Sequence, residues 1–195
     1  MREVAAVALV LTFTGVAQAQ EQRDLDAHVH GVGSLNIAIE GNKIAMELSA
    51  PGADIVGFEH AAESEEDRGI LEAALATLQA PQTLLRFDEA AKCEVTFAKA
   101  ELHGDDGDHH EEHNDHHDEH GSEHDEEQGH ANHTEFHAEF LFTCASADQL
   151  SQIEFDYFDV FPNAQELEVQ FISDQGSKAF EVTRDIPVLN LQGAL

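Results

Sequence analysis

Between His103 and His133 the chain places ten histidines and twelve Asp or Glu within 31 residues, and no Lys or Arg. Imidazole and carboxylate together are a metal-donor set, so the first chemistry this segment suggests is cation binding. The imidazoles stand at His103, His109, His110, His113, His116, His117, His120, His124, His130 and His133, and His137 follows in the next apolar segment. Gaps of three and four recur, so a helical turn drawn out by metal would set His109, His113, His116, His117 and His120 on one side. A flexible loop wrapping an ion would serve equally well. Eleven imidazoles at three or four per tetrahedral ion correspond to roughly two or three zinc ions, and more if carboxylates complete the shells. The donors do not choose among metals: imidazole also suits nickel and copper, and Cu2+ binds more tightly in the usual affinity order. Without metal, the segment reads as a solvated acidic linker or a pH-sensing tract.

A smaller constellation lies upstream. In DAHVHG, alternation along a strand would put Asp26, His28 and His30 on one face, and His60 of GFEH could complete a site with them. The plainer reading is a set of partly exposed strand residues with hydrogen bonds. Catalysis has little support, because the chain has no HExxH, no GxSxG with a partnered histidine and acid, and no phosphate-binding glycine loop. Gly31-Val32-Gly33 lacks the third glycine and the strand-to-helix setting of a dinucleotide site. We therefore expect a binding protein rather than an enzyme. A metal-dependent enzyme built on Asp26, His28, His30 and His60 is the competing reading from another class.

The elements that must position these groups lie on either side of the tract. Within residues 103–133 the only aliphatic side chain is one alanine and there is no aromatic ring, too little apolar surface to offset the entropy of ordering the backbone, so the tract reads as a disordered insert. KCEVTFAKAEL (Lys92 to Leu102) and TEFHAEFLFTC (Thr134 to Cys144) flank it with the alternation of half-buried strands. Paired antiparallel with Cys93 opposite Cys144, they would bring Val95 to face Phe142 and Phe97 to face Phe140, and put a disulfide on the core side at the far end of the stem. Two free thiols or a thiol metal site is the alternative, without the CxxC spacing that would favour it. Upstream, strands near Ala27 to Glu40 and Lys43 to Ser49 join at Gly41-Asn42, and Ser64 caps an amphipathic helix from Glu65 to Gln79 whose stripe is Ile70, Leu71, Ala74, Leu75 and Leu78. Downstream, ADQLSQ could form a helical turn and IEFDYFDVF a strand or short helix. Leu167, Val169 and Phe171, then Phe180 and Val182, mark a second hairpin turning at Asp174 to Ser177. These elements add up to an α+β fold with mainly antiparallel sheet, one main helix and a long loop inserted in a hairpin.

At the N-terminus, Arg2 is followed by an apolar run from Val4 to Val16 and by Ala17-Gln18-Ala19, a small-x-small cleavage pattern. Residues 1–19 thus read as a signal peptide and 20–195 as one exported domain, expected in the periplasm. An apolar run of about 13 residues is too short to span a bilayer, and no later segment is long enough, so no membrane insertion is expected after cleavage. The net charge of −31 repels nucleic acid and anionic lipid and makes cations the natural ligands. Acidity alone could serve solubility, but histidines, mostly neutral at pH 7, would be poor choices for that.

HVHG, then APGADIVGFEH, then a histidine-rich insert, then FHAEFLFTC and IEFDYFDVFPNAQELEVQF resemble, in that order, the ZrgA family of periplasmic zinc-binding proteins, formerly a domain of unknown function. The resemblance covers essentially everything after residue 19. It implies a zinc-regulated, exported protein of Gram-negative bacteria that binds Zn2+ through the variable His/Asp/Glu-rich segment and assists zinc acquisition, with a periplasmic component of an ABC importer as a candidate partner. The metal role then falls on His103 through His133. For His28, His30 and His60 the resemblance marks family blocks without making them ligands. A nickel or copper metallochaperone and an envelope protein whose tract responds to acid are the remaining alternatives.

Overall fold

The computed structural model describes residues 29–104 and 133–195. The signal-peptide reading of residues 1–19, Asp26, His28 and the histidines from His109 to His130 lie outside the described residues.

Strand β1 (Val32–Glu40) runs into β2 (Lys43–Pro51) through a two-residue turn in which Gly41 takes φ 59, the positive value that the first central position of a tight hairpin favours. A short helix, α1 (Gly52–Ile55), leaves β2 directly. Helix α2 (Glu65–Leu78) starts where Ser64 and Asp67 cap each other's backbone N–H groups. It buries Ala74 and Leu78 and partly buries Leu71 and Leu75, while Ile70, the first residue of the expected stripe, stays exposed. Then follow β3 (Leu85–Phe87), β4 (Cys93–Gly104), β5 (Thr134–Cys144), β6 (Gln152–Phe155), α3 (Tyr157–Val160), β7 (Glu166–Ser173), β8 (Gly176–Thr183) and β9 (Val188–Asn190). IEFDYFDVF is therefore both things at once, the end of β6 and the one-turn helix α3, and ADQ forms a helical turn.

Six strands form the main sheet in the order β4-β5-β2-β1-β7-β8, and β3-β6-β9 form a second, smaller sheet. Every pairing is antiparallel except β1 with β7, which is the antiparallel-rich α+β architecture. One face of the main sheet carries Leu35, Ile37, Ile44, Met46, Phe136, Phe140, Phe142 and Phe171. They form one buried core with Ile153 and Phe155 of the small sheet and with Tyr157 and Phe158 of α3.

Two strand expectations change. The strand expected from Ala27 begins at Val32, because Val32 N–H closes a turn onto Val29 O at 3.0 Å and Gly31 adopts φ 89. His30 is thus a turn residue. In the stem, Cys93 faces Cys144 and Val95 faces Phe142, but the register shifts between Val95 and Phe97, so Phe97 faces Leu141 and Ala98 faces Phe140. The extra residue, Thr96, is a β-bulge, and it inverts which side chains of β4 point inward. Phe97 and Leu141 consequently sit on the outer face, 43% and 44% exposed. From Ala98 onward the inward positions are Ala98, Ala100 and Leu102, and Lys99, Glu101 and His103 point outward.

Candidate functional site

Five chain segments end at one edge of the main sheet: the start of β1, the end of β2, the end of β4, the start of β5 and the start of β7. This edge is the root of the histidine-rich insert, since Gly104 pairs with Thr134. His30 of the upstream constellation and the two stubs of the insert meet there.

On the outer face of the stem, Glu101 stands opposite His137, and His103 opposite Glu135. His103 is therefore a paired strand residue and not part of the loop. The rings of His103 and His137 are 4.5 Å apart between centres. His137 Nε2 contacts Glu135 Oε2 at 2.6 Å and His103 Nε2 contacts Glu101 Oε1 at 3.1 Å. Ser49 Oγ, on neighbouring β2, lies 3.3 Å from His137 Nδ1. Lys99 Nζ pairs with the other carboxylate oxygen of Glu101, Oε2, at 2.7 Å. Without the Thr96 bulge, strict alternation would have turned Glu101 and His103 toward the core.

Beside this ladder, Glu59 lies between two imidazoles. Its Oε2 is 2.8 Å from His133 Nδ1 and its Oε1 is 2.9 Å from His30 Nε2. The contact with His133 is a hydrogen bond, whereas Oε1 is buried beside His30 Nε2 without an aligned donor. Burial pushes the Glu59 carboxyl up, and the two imidazoles more than offset it, holding the group below its ordinary range. Deeper in, Asp54 is only 2% exposed. Its Oδ1 accepts the Gly31 N–H at 2.7 Å, which fixes the turn that carries His30, and its Oδ2 has no partner. Burial raises the Asp54 carboxyl, only partly countered by the Gly31 N–H and His30.

Gly52 makes this convergence possible. A Cβ there would run into the side chain and carbonyl of Thr134 and the carbonyl of Phe58, so only glycine lets α1 lie against the start of β5 and deliver Glu59 to His133. His60 was the expected partner of His30. It turns away, stacking on Phe58 at 4.6 Å with Nδ1 3.0 Å from Ala61 O. The residue that completes the group is its neighbour Glu59, which a search for imidazoles passes over. The signal that could have found it is a carboxylate directly after the apolar run IVGF. Among the described residues, no three His, Cys, Asp or Glu side chains stand closely enough around one point to hold a metal ion as they are.

At the opposite end of the stem, Cys93 and Cys144 form the expected disulfide, with Cys144 fully buried. A groove of about 1070 Å3 opens beside it, lined in part by Arg86, Phe87, Lys92, Cys93 and Val95, and its lining includes no histidine. Among the described residues no helix is long and apolar enough to cross a membrane.

An α+β domain whose longest hairpin opens onto paired imidazoles and carboxylates belongs, by its chemistry, with proteins that handle cations. The model of the ZrgA family, described as zinc uptake proteins, matches residues 27–191, and the chain belongs to that family. No curated protein sequence matches it.

Proposed function

We propose that this protein captures or buffers Zn2+ in the periplasm through its His/Asp/Glu-rich segment and supports zinc acquisition beside an importer. The observation that carries this reading is the concentration of ten histidines and twelve carboxylates in residues 103–133 of a chain whose family is one of zinc uptake proteins. Zinc is the cargo in this account. Neutral imidazoles supply nitrogen donors, the carboxylates raise the local concentration of cations, and a net charge of −31 draws divalent ions toward the whole molecule. The β4–β5 stem supports the reading by fixing both roots of the segment on a packed sheet.

The test compares the tag-free mature protein with a variant lacking Gly104 to Asn132. Elemental analysis after zinc saturation is expected to show loss of most of the zinc, with the far-UV spectrum and cooperative melting retained. A deletion that leaves the zinc content unchanged would sink the proposal.

A further inference from the structure

We propose that the outer face of the main sheet docks a second copy of this chain, the two sheets lying face to face about a twofold axis that runs along one row of apolar side chains. The register of the sheet carries it. Phe97 pairs with Leu141, Leu141 with Ala45, Ala45 with Ala38 and Ala38 with Ile172, so five neighbouring strands each set one apolar residue in a single line on the face opposite the core. The Thr96 bulge brings Phe97 out to meet Leu141, and Ile172 at the far end of the line is 56% exposed. Scattered exposed apolar side chains are ordinary. A line of them across five strands, about 19 Å long at about 4.8 Å between strands, is a contiguous patch of the kind that marks a contact surface.

Two observations name a second copy as the occupant. The first is the charge on either side of the row. On β2, exposed Lys43 and Glu47 flank Ala45, and on β4, exposed Glu94 and Lys99 flank Phe97. Lys43 and Glu94 both pair with Thr143, on one side, and Glu47 and Lys99 both pair with Glu139, on the other. Rotation about the row reverses the strands and exchanges the two sides, so Lys43 comes to lie over the partner's Glu47 and Glu94 over the partner's Lys99, each contact occurring twice by symmetry. The second is the placing of the acid. The chain carries a net charge of −31, much of it between His103 and His133, and that segment leaves the sheet at Gly104 and returns at Thr134, beyond Lys99 and Glu139. The same rotation sends the two roots to opposite ends of the pair, which keeps the acidic segments from repelling each other at close range. A face of six strands, each at least eight residues long, covers roughly 600 Å2 per copy, so a dimer buries about 1,200 Å2, the lower end of specific interfaces. The dimer is therefore weak, with a dissociation constant of about tens of micromolar, and the dilute chain of an unfolding experiment is monomeric.

The test follows the untagged mature chain by sedimentation velocity from about 5 to 500 µM, in chelator so that no metal bridges the acidic segments, with melting in dilute solution to check that each variant folds. Wild type is expected to pass from monomer to dimer across this range. Ile172→Lys places a charge in the row at an exposed position and is expected to weaken association at least tenfold. Lys43→Glu and Glu47→Lys each set like charges face to face and are expected to weaken it about tenfold. The double variant restores both contacts with their signs exchanged and is expected to return within about threefold of wild type. Lys43 and Glu47 stand on the same strand with Ala45 between them, so such a rescue reports contact between copies. A wild type that stays monomeric to the top of the range overturns the proposal, whatever else the face binds. So does a dimer indifferent to Ile172→Lys, which lies on another surface, or a double variant no better than the single ones.

Discussion

The two ends of the β4–β5 stem are built from opposite materials. At one end Cys93 and Cys144 are covalently joined, beside Phe142 and Phe87, whose rings meet edge to face at 4.8 Å. The nearby Asp88 carboxylate accepts from Ser151 N at 2.6 Å and from Ser151 Oγ at 2.9 Å. The Ser151 backbone hydrogen bond leads the causes that hold it below its ordinary range, so it stays ionised at neutral pH and its contribution to stability fades only in strong acid, as pH falls through that lowered value. At the other end the same two strands carry His103, Glu101, His137 and Glu135, with His133 and Glu59 alongside. This end therefore presents imidazole and carboxylate, a metal-donor set, where the first presents a covalent bond and packed rings. The stem separates a covalently closed, buried end from an exposed end of imidazoles and carboxylates, and the bulge at Thr96 is what allows one pair of strands to do both.

Breaking the disulfide end should have the larger effect on stability. Replacing Cys93 and Cys144 together by serine opens a covalent loop with a sequence separation of 51 and is expected to cost about 4 kcal/mol in the chain-entropy model, measured by urea unfolding. Zinc content should be unchanged in the fraction that folds. Loss of zinc at full folding would show that the two ends are coupled. Gly52→Ala attacks the imidazole end from inside: a side chain pressed against Thr134 and Phe58 should cost about 1–3 kcal/mol and displace Glu59 from His133, visible as altered histidine signals by NMR. Phe97→Ser sharpens the comparison with the smallest effect. If the bulge has moved this ring off the core, the variant should lie within about 0.5 kcal/mol of wild type; a loss of about 3 kcal/mol or more, as for a buried phenylalanine, would mean that strict alternation holds after all.

Local rules made much of this legible before any coordinates. Ser64 and Asp67 announce the start of α2 because capping involves only neighbours in sequence. The facing of Cys93 and Cys144 follows from two alternating strands flanking one loop. The bulge was not legible: nothing in TFAK distinguishes an extra residue from a regular one, and the gain from turning Glu101 and His103 outward is a property of the assembled sheet. His30 was expected on a strand because HVHG alternates, yet the buried Asp54, 23 residues away from Gly31, claims the backbone there and makes a turn. Glu59 was missed for the same reason. Its partners are set by how α1 packs, and its own sequence neighbourhood advertises His60 instead.

The central claim is that imidazoles hold the zinc, and the affinity for zinc measured from pH 8 to 5.5 at two salt concentrations tests it most directly. Zinc requires neutral imidazole, so each ligand that must lose a proton makes affinity fall as pH drops. The twelve carboxylates of the segment attract the divalent cation and so strengthen capture at neutral pH. Salt should weaken the long-range part of this attraction, because the Debye length is about 8 Å at physiological ionic strength. The account predicts a steep loss of affinity below about pH 6.5–7. An affinity that stays flat across the range would mean that carboxylates hold the metal and would contradict the role assigned to the histidines.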